Sequence, residues 1–522
     1  MVDNKICFIT CVNNERVYEE SLIYIKNLNI PEGFVVEYRA LRNQKSITSA
    51  YNFAMKDCDA KYKVYLHQDV FIINKNFIFD ILEVFNNENI GMIGVAGSKA
   101  IPTNGVWWES NKTYGKVYDS HTGKISLLQF SEVVEKYETV KAIDGLIMIT
   151  QYDIPWRENI FDGWHFYDIS QSIEFIKAGY EVVIPKQKEP WCIHDCGIVN
   201  VRNGYDYYRE KFLKEYSKDI FPLVSILIPT YNQVNYLKKA LESALNQTYY
   251  NIEIIIGDDS TNNDVKDFIK PYIDKYNNIR YFRNQRTEMD YGISNGINLF
   301  KESRGEYINY LFHDDIIHQD KINYMMNYFI ERDDISLITS HRQLIDANGN
   351  MLNDNHATQR LFSEDKIIDG KELMLFCLDN FTNFIGEPTS ILFKKSSLKE
   401  GFGFFNGNHY TTNIDLATCF SALQNGKGVY VSKSLSYFRQ HSKQNSNNLE
   451  IQAKGVIEWR KLVEDSYQTG LISSKEEYLK LLAKWIRSFS YIFQLILNQN
   501  CSASLKAQLE ETFSNTIKTL LD

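Results

Sequence analysis

The chain has 522 residues, a hydrophobic fraction of 44% and a formal net charge of −9. This length predicts about three domains, and the hydrophobic fraction is sufficient for buried cores. The acidic balance argues against a general nucleic-acid-binding protein, because phosphate neutralisation requires a basic face. The sequence has no apolar run of transmembrane length, and residues 1–5 do not resemble a signal peptide, so we predict a cytoplasmic protein.

The eight cysteines are scattered along the chain. Cys7 and Cys11 lie inside an apolar run, which is typical of reduced, buried thiols and not of a disulfide framework. The pair Cys192 and Cys196 leaves a zinc site open as an alternative. No second pair of cysteines or histidines completes four ligands, so the buried thiols are preferred.

Strand and helix patterns alternate from the N-terminus. Residues 5–12, 35–41 and 62–70 have the short apolar pattern of strands, and residues 17–28 and 47–55 have helical spacing. This alternation predicts a mostly parallel α/β sheet, in which ligands bind at the carboxyl ends of the strands.

The alternation begins again after a charged segment that predicts a linker helix. The second series has a strand at 223–229, a helix at 236–245, and strands at 252–256 and 306–312. We therefore predict two tandem α/β domains and a helical C-terminal segment. The predicted boundaries are residues 1–204, the linker helix 205–221, residues 222–450 and residues 451–522.

The C-terminal segment carries apolar residues at helical spacing from residue 451 onward. We interpret it as a helical cap or a dimer surface. The alternative is an interfacial helix at 484–497 that contacts the inner face of a membrane, but this stretch has few basic residues.

An acidic and histidine pattern occurs twice in the chain. Asp69, Asp168 and His194 follow one another at almost the same intervals as a second set that comprises Asp315, Asp415 and His441. Carboxylates and imidazoles from separate strand ends can assemble a metal site with a general base nearby.

The motifs of the second half occur in a specific order. They are Val-Ser-Ile-Leu-Ile-Pro-Thr-Tyr-Asn at 224–232, Ile-Gly-Asp-Asp-Ser at 256–260 and His-Asp-Asp at 313–315. Over about residues 222–448 the sequence resembles the family 2 glycosyltransferases, which have a GT-A fold. The resemblance implies that a nucleotide sugar is bound by Pro229, Tyr231, Asp258, Asp259, Asp314 and Arg439.

The same resemblance implies a divalent metal. It gives His313, Asp315 and His441 as ligands of Mn²⁺ or Mg²⁺, which would clamp the diphosphate of the donor. It gives Asp415 as the general base, although Asn413 occupies the position where the family often has the catalytic acid. Helix capping is the alternative role for Asp415.

The first half resembles a streptococcal-type, glycosyltransferase-2-like family over about residues 5–216. The shared motifs are Tyr-Leu-His-Gln-Asp-Val at 65–70, Asp-Gly at 144–145, Phe-Asp-Gly-Trp-His-Phe-Tyr-Asp at 161–168 and Trp-Cys-Ile-His-Asp-Cys-Gly at 191–197. The resemblance implies that His67, Asp69 and His194 hold the metal.

For the base of the first half, the spacing favours Asp168, with Asp162 and His165 as rivals. Trp164 is a candidate wall for the acceptor. The alternatives are a capping aspartate and a core tryptophan.

The first half lacks an Asp-Asp-Ser motif after its second strand. Arg42 and Asn43 stand at that position. Either these two residues contact the nucleotide differently, or the first half does not bind one.

We predict a metal-dependent glycosyltransferase that moves a sugar from a nucleotide sugar, with UDP the commonest carrier in the family, to an acceptor hydroxyl. The acceptor is a glycan, a lipid-linked sugar or a protein such as a flagellin or an adhesin. Family 2 resemblance implies inversion at the anomeric carbon. The alternatives are a nucleotidyltransferase, although no basic Gly-rich loop is present, and one active domain with a degenerate partner that serves as a scaffold.

Overall fold

The computed structural model describes residues 1–198, 203–284, 292–441, 448–498 and 501–522. Contacts within the chain divide it into two compact units, Met1–Phe221 and Pro222–Asp522. Each unit has its own sheets and its own buried core.

The first unit contains strands and helices in alternation. Its strands are β1 (Val2–Val12), β2 (Val35–Arg42), β3 (Ala60–Leu66), β4 (Val70–Ile72), β5 (Ile90–Gly94), β6 (Ala96–Ser98), β7 (Thr113–Asp119), β8 (Ser126–Gln129), β9 (Tyr137–Val140), β10 (Ala142–Ile143), β11 (Ile147–Thr150), β12 (Glu181–Pro185) and β13 (Cys192–His194). Its helices are α1 (Glu15–Lys26), α2 (Ile47–Asp57), α3 (Phe77–Phe85), α4 (Tyr167–Lys177) and α5 (Tyr205–Ile220), with a short 3₁₀ helix at Trp107–Glu109.

The main sheet of the first unit is mixed, with the order β2-β1-β3-β11-β5-β12-β9. Strand β1 is parallel to both of its neighbours, and β11 is antiparallel to β3 and β5. A second sheet has the order β10-β6-β7-β13-β4, and β8 pairs with β7. The predicted α/β architecture is confirmed, and the antiparallel β11 makes the main sheet mixed.

Both faces of the main sheet are buried, which explains why its strands are almost continuously apolar. In β1, Ile6 and Phe8 pack into the core on one face, and Cys7 and Ile9 pack into the core on the other. All eight cysteines are free thiols. The prediction of reduced, mostly buried cysteines is confirmed.

Helix α5 occupies the segment predicted to be a linker helix, and it packs against the first unit. Phe212 and Tyr216 are fully buried beside Phe161 and Phe166. The Phe212 and Phe166 ring centroids are 5.4 Å apart. The aromatic residues of this helix therefore belong to a core of the first unit.

The second unit repeats the alternation and adds helices at its end. Its strands are β14 (Val224–Thr230), β15 (Ile252–Asp258), β16 (Ile279–Arg283), β17 (Tyr307–Tyr310), β18 (Ile316–Ile317), β19 (Ile335–Ile345), β20 (Lys366–Asp369), β21 (Ile391–Lys394), β22 (Phe404–Phe405), β23 (Asn408–His409) and β24 (Lys427–Arg439). Its helices are α6 (Val234–Leu245), α7 (Asp264–Lys275), α8 (Ile293–Glu302), α9 (Lys321–Glu331), α10 (Gly370–Asn380), α11 (Ile414–Leu423), α12 (Leu449–Gln468), α13 (Lys475–Asn498) and α14 (Ala503–Leu521), with 3₁₀ helices at Pro388–Ser390 and Lys395–Ser397.

The large sheet of the second unit has the order β16-β15-β14-β17-β21-β19-β24-β18, and β20 pairs with β24. Strand β14 is parallel to β15 and to β17. The carboxyl ends of these three strands therefore meet at one edge, where a ligand pocket is expected in an open α/β sheet.

Polar side chains cap the N-termini of several helices. The Asn14 side chain accepts a hydrogen bond from an amide of the first turn of α1, and Ser46 does the same for α2. Asn448 and Ser502 cap α12 and α14 in the same way. These residue types are strongly preferred at this position, because they satisfy amides that have no partner within the helix.

The predicted helical C-terminal segment is confirmed as helices α12, α13 and α14. Trp485 of α13 is fully buried, and its ring centroid lies 4.4 Å from that of Phe513 in α14. Its indole nitrogen donates to the carbonyl of Val456 in α12, at 3.0 Å. Among the described residues, no helix combines the length and the apolarity that crossing a bilayer requires.

Candidate active sites

The second unit has a pocket of about 600 Å³ at the carboxyl ends of β14, β15 and β17. The strand-end motifs form one side of it. The lining residues on this side are Pro229, Thr230, Tyr231, Asp259, His313, Asp314 and His441. The pocket therefore contains most of the residues that the family 2 resemblance assigns to the donor.

The two adjacent aspartates after β15 have different surroundings. Asp258 is fully buried, with one carboxylate oxygen 2.6 Å from Nη1 of Arg283 and 2.7 Å from the hydroxyl of Tyr281. Asp259 lines the pocket and accepts a hydrogen bond from Nδ2 of Asn284 at 3.1 Å. Asp258 is thus held by internal hydrogen bonds at the strand end, and Asp259 is the carboxylate that lines the pocket.

The His313-Asp314-Asp315 turn also divides its residues. Asp315 is 1% exposed, and its Oδ1 accepts the backbone N–H of Arg439 at 3.0 Å. Burial and the nearby Asp314 raise the pKa of Asp315 well above its usual value. Asp314 instead lines the pocket, with its Oδ2 3.0 Å from Nε2 of His441. Of the two aspartates, Asp314 therefore lines the pocket and Asp315 does not.

His313 lines the same pocket, and its Nδ1 lies 3.3 Å from the carbonyl oxygen of Pro229. Burial lowers its pKa, which favours the neutral imidazole that a metal requires. The groups of three ligand atoms found within the described part of the chain all lie in the first unit. In the second unit, the side chains of Asp314 and His441 both line the pocket and contact each other, and both are residue types that can bind a metal.

Arg439 is fully buried, and its contacts hold the turn. Its Nε donates to the carbonyl of Asp314 at 2.6 Å, and its Nη1 donates to the carbonyl of Asp346 at 2.9 Å. The guanidinium lies 5.1 Å from the ring centroid of Tyr236. These contacts give Arg439 a structural task below the pocket, whereas the sequence predicted a contact with the donor.

Asp415 lies in the first turn of α11 and is not among the residues that line the pocket. Its Oδ2 accepts a hydrogen bond from Nδ2 of Asn383 at 2.7 Å. Burial raises the pKa of this carboxyl to about 6, and the charge of Glu387 acts in the same direction. The carboxylate of Glu387 forms an ion pair with Nε of Arg342 at 2.6 Å.

Glu387 and Arg342 were missed by the sequence analysis. The local signal for Glu387 is the Gly-Glu-Pro-Thr sequence at 386–389. The residue before a proline is restricted to an extended backbone, so the conformation of Glu387 is predictable from the sequence. The charge of Glu387 acts on the carboxyl of Asp415, and only the fold brings Glu387 near enough to do so.

In the first unit the predicted metal ligands do converge. Ligand atoms of His67, Asp69 and His194 all lie within 4.8 Å of one another. Asp69 Oδ1 is buried, has no hydrogen-bond partner among the described residues, and lies 3.7 Å from Nε2 of His194. A mixed set of imidazole and carboxylate donors with an unpaired oxygen fits a divalent cation such as Mn²⁺.

Strand pairing produces this cluster. Strand β13 pairs with β4, which begins directly after Asp69, and with β7, which ends at Asp119. His194 at the end of β13 is therefore flanked by both carboxylates. The sequence analysis missed Asp119, because nothing in the sequence reveals that β7 lies beside β13.

Asp119 orients His194. Its Oδ2 lies 2.9 Å from Nδ1 of His194, which leaves Nε2 directed toward Asp69. Burial alone would lower the pKa of His194, but the hydrogen bond to Asp119 and the other groups nearby raise that pKa to about 10, so a cation that binds here must displace a proton from the imidazole. A carboxylate on the second ring nitrogen is the usual way to fix the tautomer and orientation of a metal-binding histidine.

The zinc alternative is not favoured by the geometry. Cys192 is fully buried in the core of the main sheet. Cys196 is separate from it, with Sγ 3.8 Å from Oδ2 of Asp119. The two sulfur atoms therefore lie in different environments. Of the two, Cys196 is the one close to Asp119 and His194.

Asp168 lies in the first turn of α4, close to the cluster. Its Oδ2 accepts the backbone N–H of Gly145 at 3.1 Å. Burial and the nearby Asp144 raise the pKa of Asp168 to about 7. The preceding residue, Tyr167, places its hydroxyl 2.5 Å from Nε2 of His67. The candidate base and the candidate metal ligands are thus connected through adjacent residues.

The rivals for the base are more peripheral. Asp162 makes two long contacts, at 3.2 Å to the hydroxyl of Tyr208 and 3.2 Å to Nζ of Lys211. His165 bonds to Oδ1 of Asn203 at 2.9 Å. Trp164 is 48% exposed, so it is not a core residue and is available as a wall.

Arg42 and Asn43 lie where the first unit lacks its aspartate pair. Arg42 forms a two-point contact with Glu15, at 2.6 Å and 2.8 Å. Asn43 is exposed and has a left-handed backbone with φ of 55°. The guanidinium is already engaged, so the predicted contact of Arg42 with a nucleotide would require this ion pair to open.

Two protein families match the chain. Residues 7–216 match the family described as "Glycosyltransferase like family", and residues 225–402 match "Glycosyl transferase family 2". A Rickettsia felis protein named "Uncharacterized glycosyltransferase" is 32% identical over 231 residues, which cover 44% of this chain and 36% of that protein. One of Rickettsia typhi is 33% identical over 227 residues, covering 43% of this chain and 66% of the relative.

A further relative is the GalNAc(5)-diNAcBac-PP-undecaprenol beta-1,3-glucosyltransferase of Campylobacter jejuni. It is 25% identical over 282 residues, which cover 53% of this chain and 84% of that enzyme. The crystal structure of S. aureus TarS 1–349 aligns over 57% of this chain and 81% of that one, with a TM-score of 0.42 and 15% identity.

The aligned region spans 36% of the length of the Rickettsia felis protein, so that relative does not establish the activity of the whole chain. The two family matches agree with the order of motifs and with the mixed α/β sheets of both units. The chain therefore carries two glycosyltransferase domains in tandem, the first of the glycosyltransferase-like family and the second of glycosyl transferase family 2.

Proposed function

We propose that the second domain transfers a sugar from a nucleotide sugar to an acceptor hydroxyl, with inversion at the anomeric carbon. The observation that carries the proposal is the pocket at the strand ends of the family 2 domain, which presents Asp259, Asp314 and His441 on one side. The family match favours transfer of a glycosyl group over transfer of a nucleotidyl group.

Each side chain has a task in this proposal. Asp259 accepts hydrogen bonds from the nucleoside. Asp314 and His441 are the residues that would hold Mn²⁺ or Mg²⁺, and such an ion supplies positive charge to the leaving diphosphate when it is bound. Asp415 is the proposed base: its carboxyl, with a pKa raised to about 6, is ionised at neutral pH, and it follows the lining residue Ile414, so an acceptor hydroxyl must reach beyond the lining residues to give it a proton.

We propose that the first domain performs a second transfer. The cluster of His67, Asp69 and His194 fits a divalent cation, and Asp168 lies close to it with its pKa raised to about 7. The competing proposal is a first domain without activity, which the ion pair between Arg42 and Glu15 favours because it occupies a nucleotide-binding position. The two proposals differ in the number of active sites.

We propose UDP as the nucleotide and a lipid-linked sugar as one of three acceptor classes, together with a glycan and a protein. The name of the Campylobacter jejuni relative describes a lipid-linked acceptor, which supports this class. A cytoplasmic location, and contact of the C-terminal helices with a second copy or a membrane face, are part of the same prediction.

A panel of nucleotide sugars tests these proposals. Turnover is measured with Mn²⁺, with Mg²⁺ and with a chelator, for the wild type and for the variants Asp69→Ala and Asp314→Ala. Release of a nucleoside diphosphate indicates glycosyl transfer, whereas pyrophosphate indicates nucleotidyl transfer. Asp206→Ala serves as the control, because this carboxylate is 83% exposed and belongs neither to the cluster of metal-ligand candidates in the first unit nor to the pocket of the second.

Two active domains predict that each of the two variants loses a different donor activity. Loss in Asp314→Ala alone supports one active domain. No turnover of any donor by the wild type, with no stabilisation by UDP and Mn²⁺, would contradict the proposed function.

A further inference from the structure

The pocket of the second domain has another side that the donor does not explain. In addition to the strand-end motifs it is lined by Phe402, His409, Thr411, Thr412, Ile451 and Lys454. The last two belong to α12, the first helix of the C-terminal segment. Hydroxyl, imidazole and ammonium groups beside apolar side chains are the groups that bind a saccharide through its hydroxyls and its apolar ring face.

Helix α12 holds the pocket-lining residues Thr411 and Thr412 in place through the side chain of Glu458. The Glu458 carboxylate accepts the backbone N–H groups of Thr411 at 2.7 Å, of Thr412 at 2.9 Å and of Asn413 at 2.6 Å. It also accepts the hydroxyl of Thr411 at 2.8 Å. One carboxylate thus holds three consecutive amides of the segment that leads into α11, and such charge-assisted bonds are stronger than neutral ones.

Further contacts on the same face of α12 support the arrangement. Nδ2 of Asn413 donates to the carbonyl of Gly455 at 3.0 Å, and Nζ of Lys461 donates to the carbonyl of His409 at 3.1 Å. Asp465 accepts the hydroxyl of Tyr410 at 2.6 Å. Positions 451, 454, 458, 461 and 465 recur at the spacing of one helix face, so a single face of α12 contacts the whole segment from residue 409 to 413.

His409 supplies an independent sign of a ligand. It lines the pocket, and its Nε2 is buried with no hydrogen-bond partner among the residues the structure describes. A buried polar atom without a partner is costly, and a bound hydroxyl would satisfy it.

We propose that α12 forms the acceptor wall of the family 2 domain, that Lys454 and the segment from His409 to Thr412 bind a saccharide acceptor, and that Glu458 is the residue that positions this segment. The inference rests on the proposed glycosyl transfer and assigns a task to the C-terminal segment. It places the acceptor hydroxyl across the pocket from Asp314, so that donor and acceptor enter from different sides.

The test separates the two sides of the pocket. UDP with Mn²⁺ probes the donor side by calorimetry. A panel of methyl glycosides of hexoses and N-acetylhexosamines probes the acceptor side, by saturation-transfer NMR in the presence of UDP and Mn²⁺. Glu458→Leu should weaken glycoside binding about tenfold, because it removes several charge-assisted hydrogen bonds, and should leave the Kd of UDP within about twofold.

Two variants and a control complete the experiment. Glu458→Gln keeps one oxygen acceptor and should lie between the wild type and Glu458→Leu. Lys454→Met should weaken glycoside binding and leave the Kd of UDP within about twofold, and it carries the test if Glu458→Leu does not fold. Glu464→Leu is the control, since this half-buried glutamate on the same helix bonds to Arg460 and the hydroxyl of Tyr478.

The inference fails if Glu458→Leu and Lys454→Met bind glycosides as tightly as the wild type, or if no glycoside transfers saturation to the wild type. Equal loss of UDP and glycoside binding in Glu458→Leu would also overturn it, because that outcome indicates a general structural role. Failure of the proposed function looks different: the wild type would then neither bind UDP nor turn over a nucleotide sugar.

Discussion

At the level of single residues, burial raises the pKa of the two carboxyls that are proposed as general bases. The pKa of Asp168 is raised to about 7, first by burial and then by the nearby Asp144. The pKa of Asp415 is raised to about 6, again mainly by burial. A general base is most effective when its pKa lies near the operating pH, so these shifts match the task that the sequence pattern predicts for both residues.

The raised pKa of Asp168 predicts how the first domain responds to pH. Transfer by this domain should require the ionised form, so its rate should rise as the pH increases through about 7. The folded state binds this proton more tightly than the unfolded state, so the stabilisation present at low pH is lost as the pH rises through about 7. Asp168→Asn should abolish transfer and, above pH 7, increase the free energy of unfolding by about 1–3 kcal/mol.

Rates and thermal unfolding, measured from about two pH units below to about two pH units above the pKa of Asp168, check both parts of this prediction. Asp206→Asn is the control, because the side chain of this aspartate is 83% exposed. An unchanged pH profile in the Asp168→Asn variant would exclude Asp168 as the base.

Asp119 gives a second prediction at the level of residues. Its bond to Nδ1 of His194 is expected to align the imidazole for a cation held with His67 and Asp69. Asp119→Asn should therefore lower the affinity for Mn²⁺ by about 10–100-fold, as loss of such a partner usually does. Titration monitored by electron paramagnetic resonance measures this directly, and equal affinity in variant and wild type would remove Asp119 from the site.

At the level of secondary structure elements, a hydrogen bond between two strands' ends determines which aspartate of the 313–315 turn lines the pocket. The turn after β17 carries the polar residues His313, Asp314 and Asp315. Asp315 is buried, and its Oδ1 accepts a hydrogen bond from the backbone N–H of Arg439 in β24. Asp314 is thereby turned to the pocket. The choice between the two aspartates depends on strand β24, whose end is 124 residues away in the sequence, so the local motif could not make it.

Helix α5 provides the prediction at this level. The side chain of Phe212 is fully buried against Phe166 and Phe161. Phe212→Ala should destabilise the first domain by about 3–5 kcal/mol, because it leaves a cavity and removes apolar contact. Tyr207→Ala on the same helix is the control, since Tyr207 is 58% exposed. Differential scanning calorimetry should show the loss for Phe212 alone, and equal effects of both variants would mean that the helix is not anchored through this face.

At the level of the whole molecule, two units with separate cores share one chain. Residues 1–221 include helix α5, and residues 222–522 include the three C-terminal helices that complete a core around Trp485. A unit with its own buried core is expected to fold independently. The predicted boundary at residue 204 would remove α5 from its core, whereas the boundary at residue 221 retains it.

This division gives a prediction about separate fragments. Residues 1–221 and 222–522, expressed separately, should each unfold cooperatively, and a fragment of residues 1–204 should be less stable by several kcal/mol, because it exposes the surface that Phe212 and Tyr216 cover. Thermal unfolding followed by circular dichroism makes the comparison. A fragment 1–204 as stable as 1–221 would show that α5 contributes nothing to the first unit.

The class of the fold follows from the sequence alone. Alternating apolar strands and amphipathic helices indicate α/β sheets because burial imposes those periodicities locally. The family resemblance also singled out His67, Asp69 and His194, whose ligand atoms lie within 4.8 Å of one another in the structure. Tertiary contacts determine which other residues lie at the two sites. Asp119 bonds to His194, Asp314 and not Asp315 lines the pocket, and Glu458 accepts hydrogen bonds from the segment at 411–413. Strand pairing and helix packing join residues that are far apart in the chain, and no local pattern of residue types encodes such a contact.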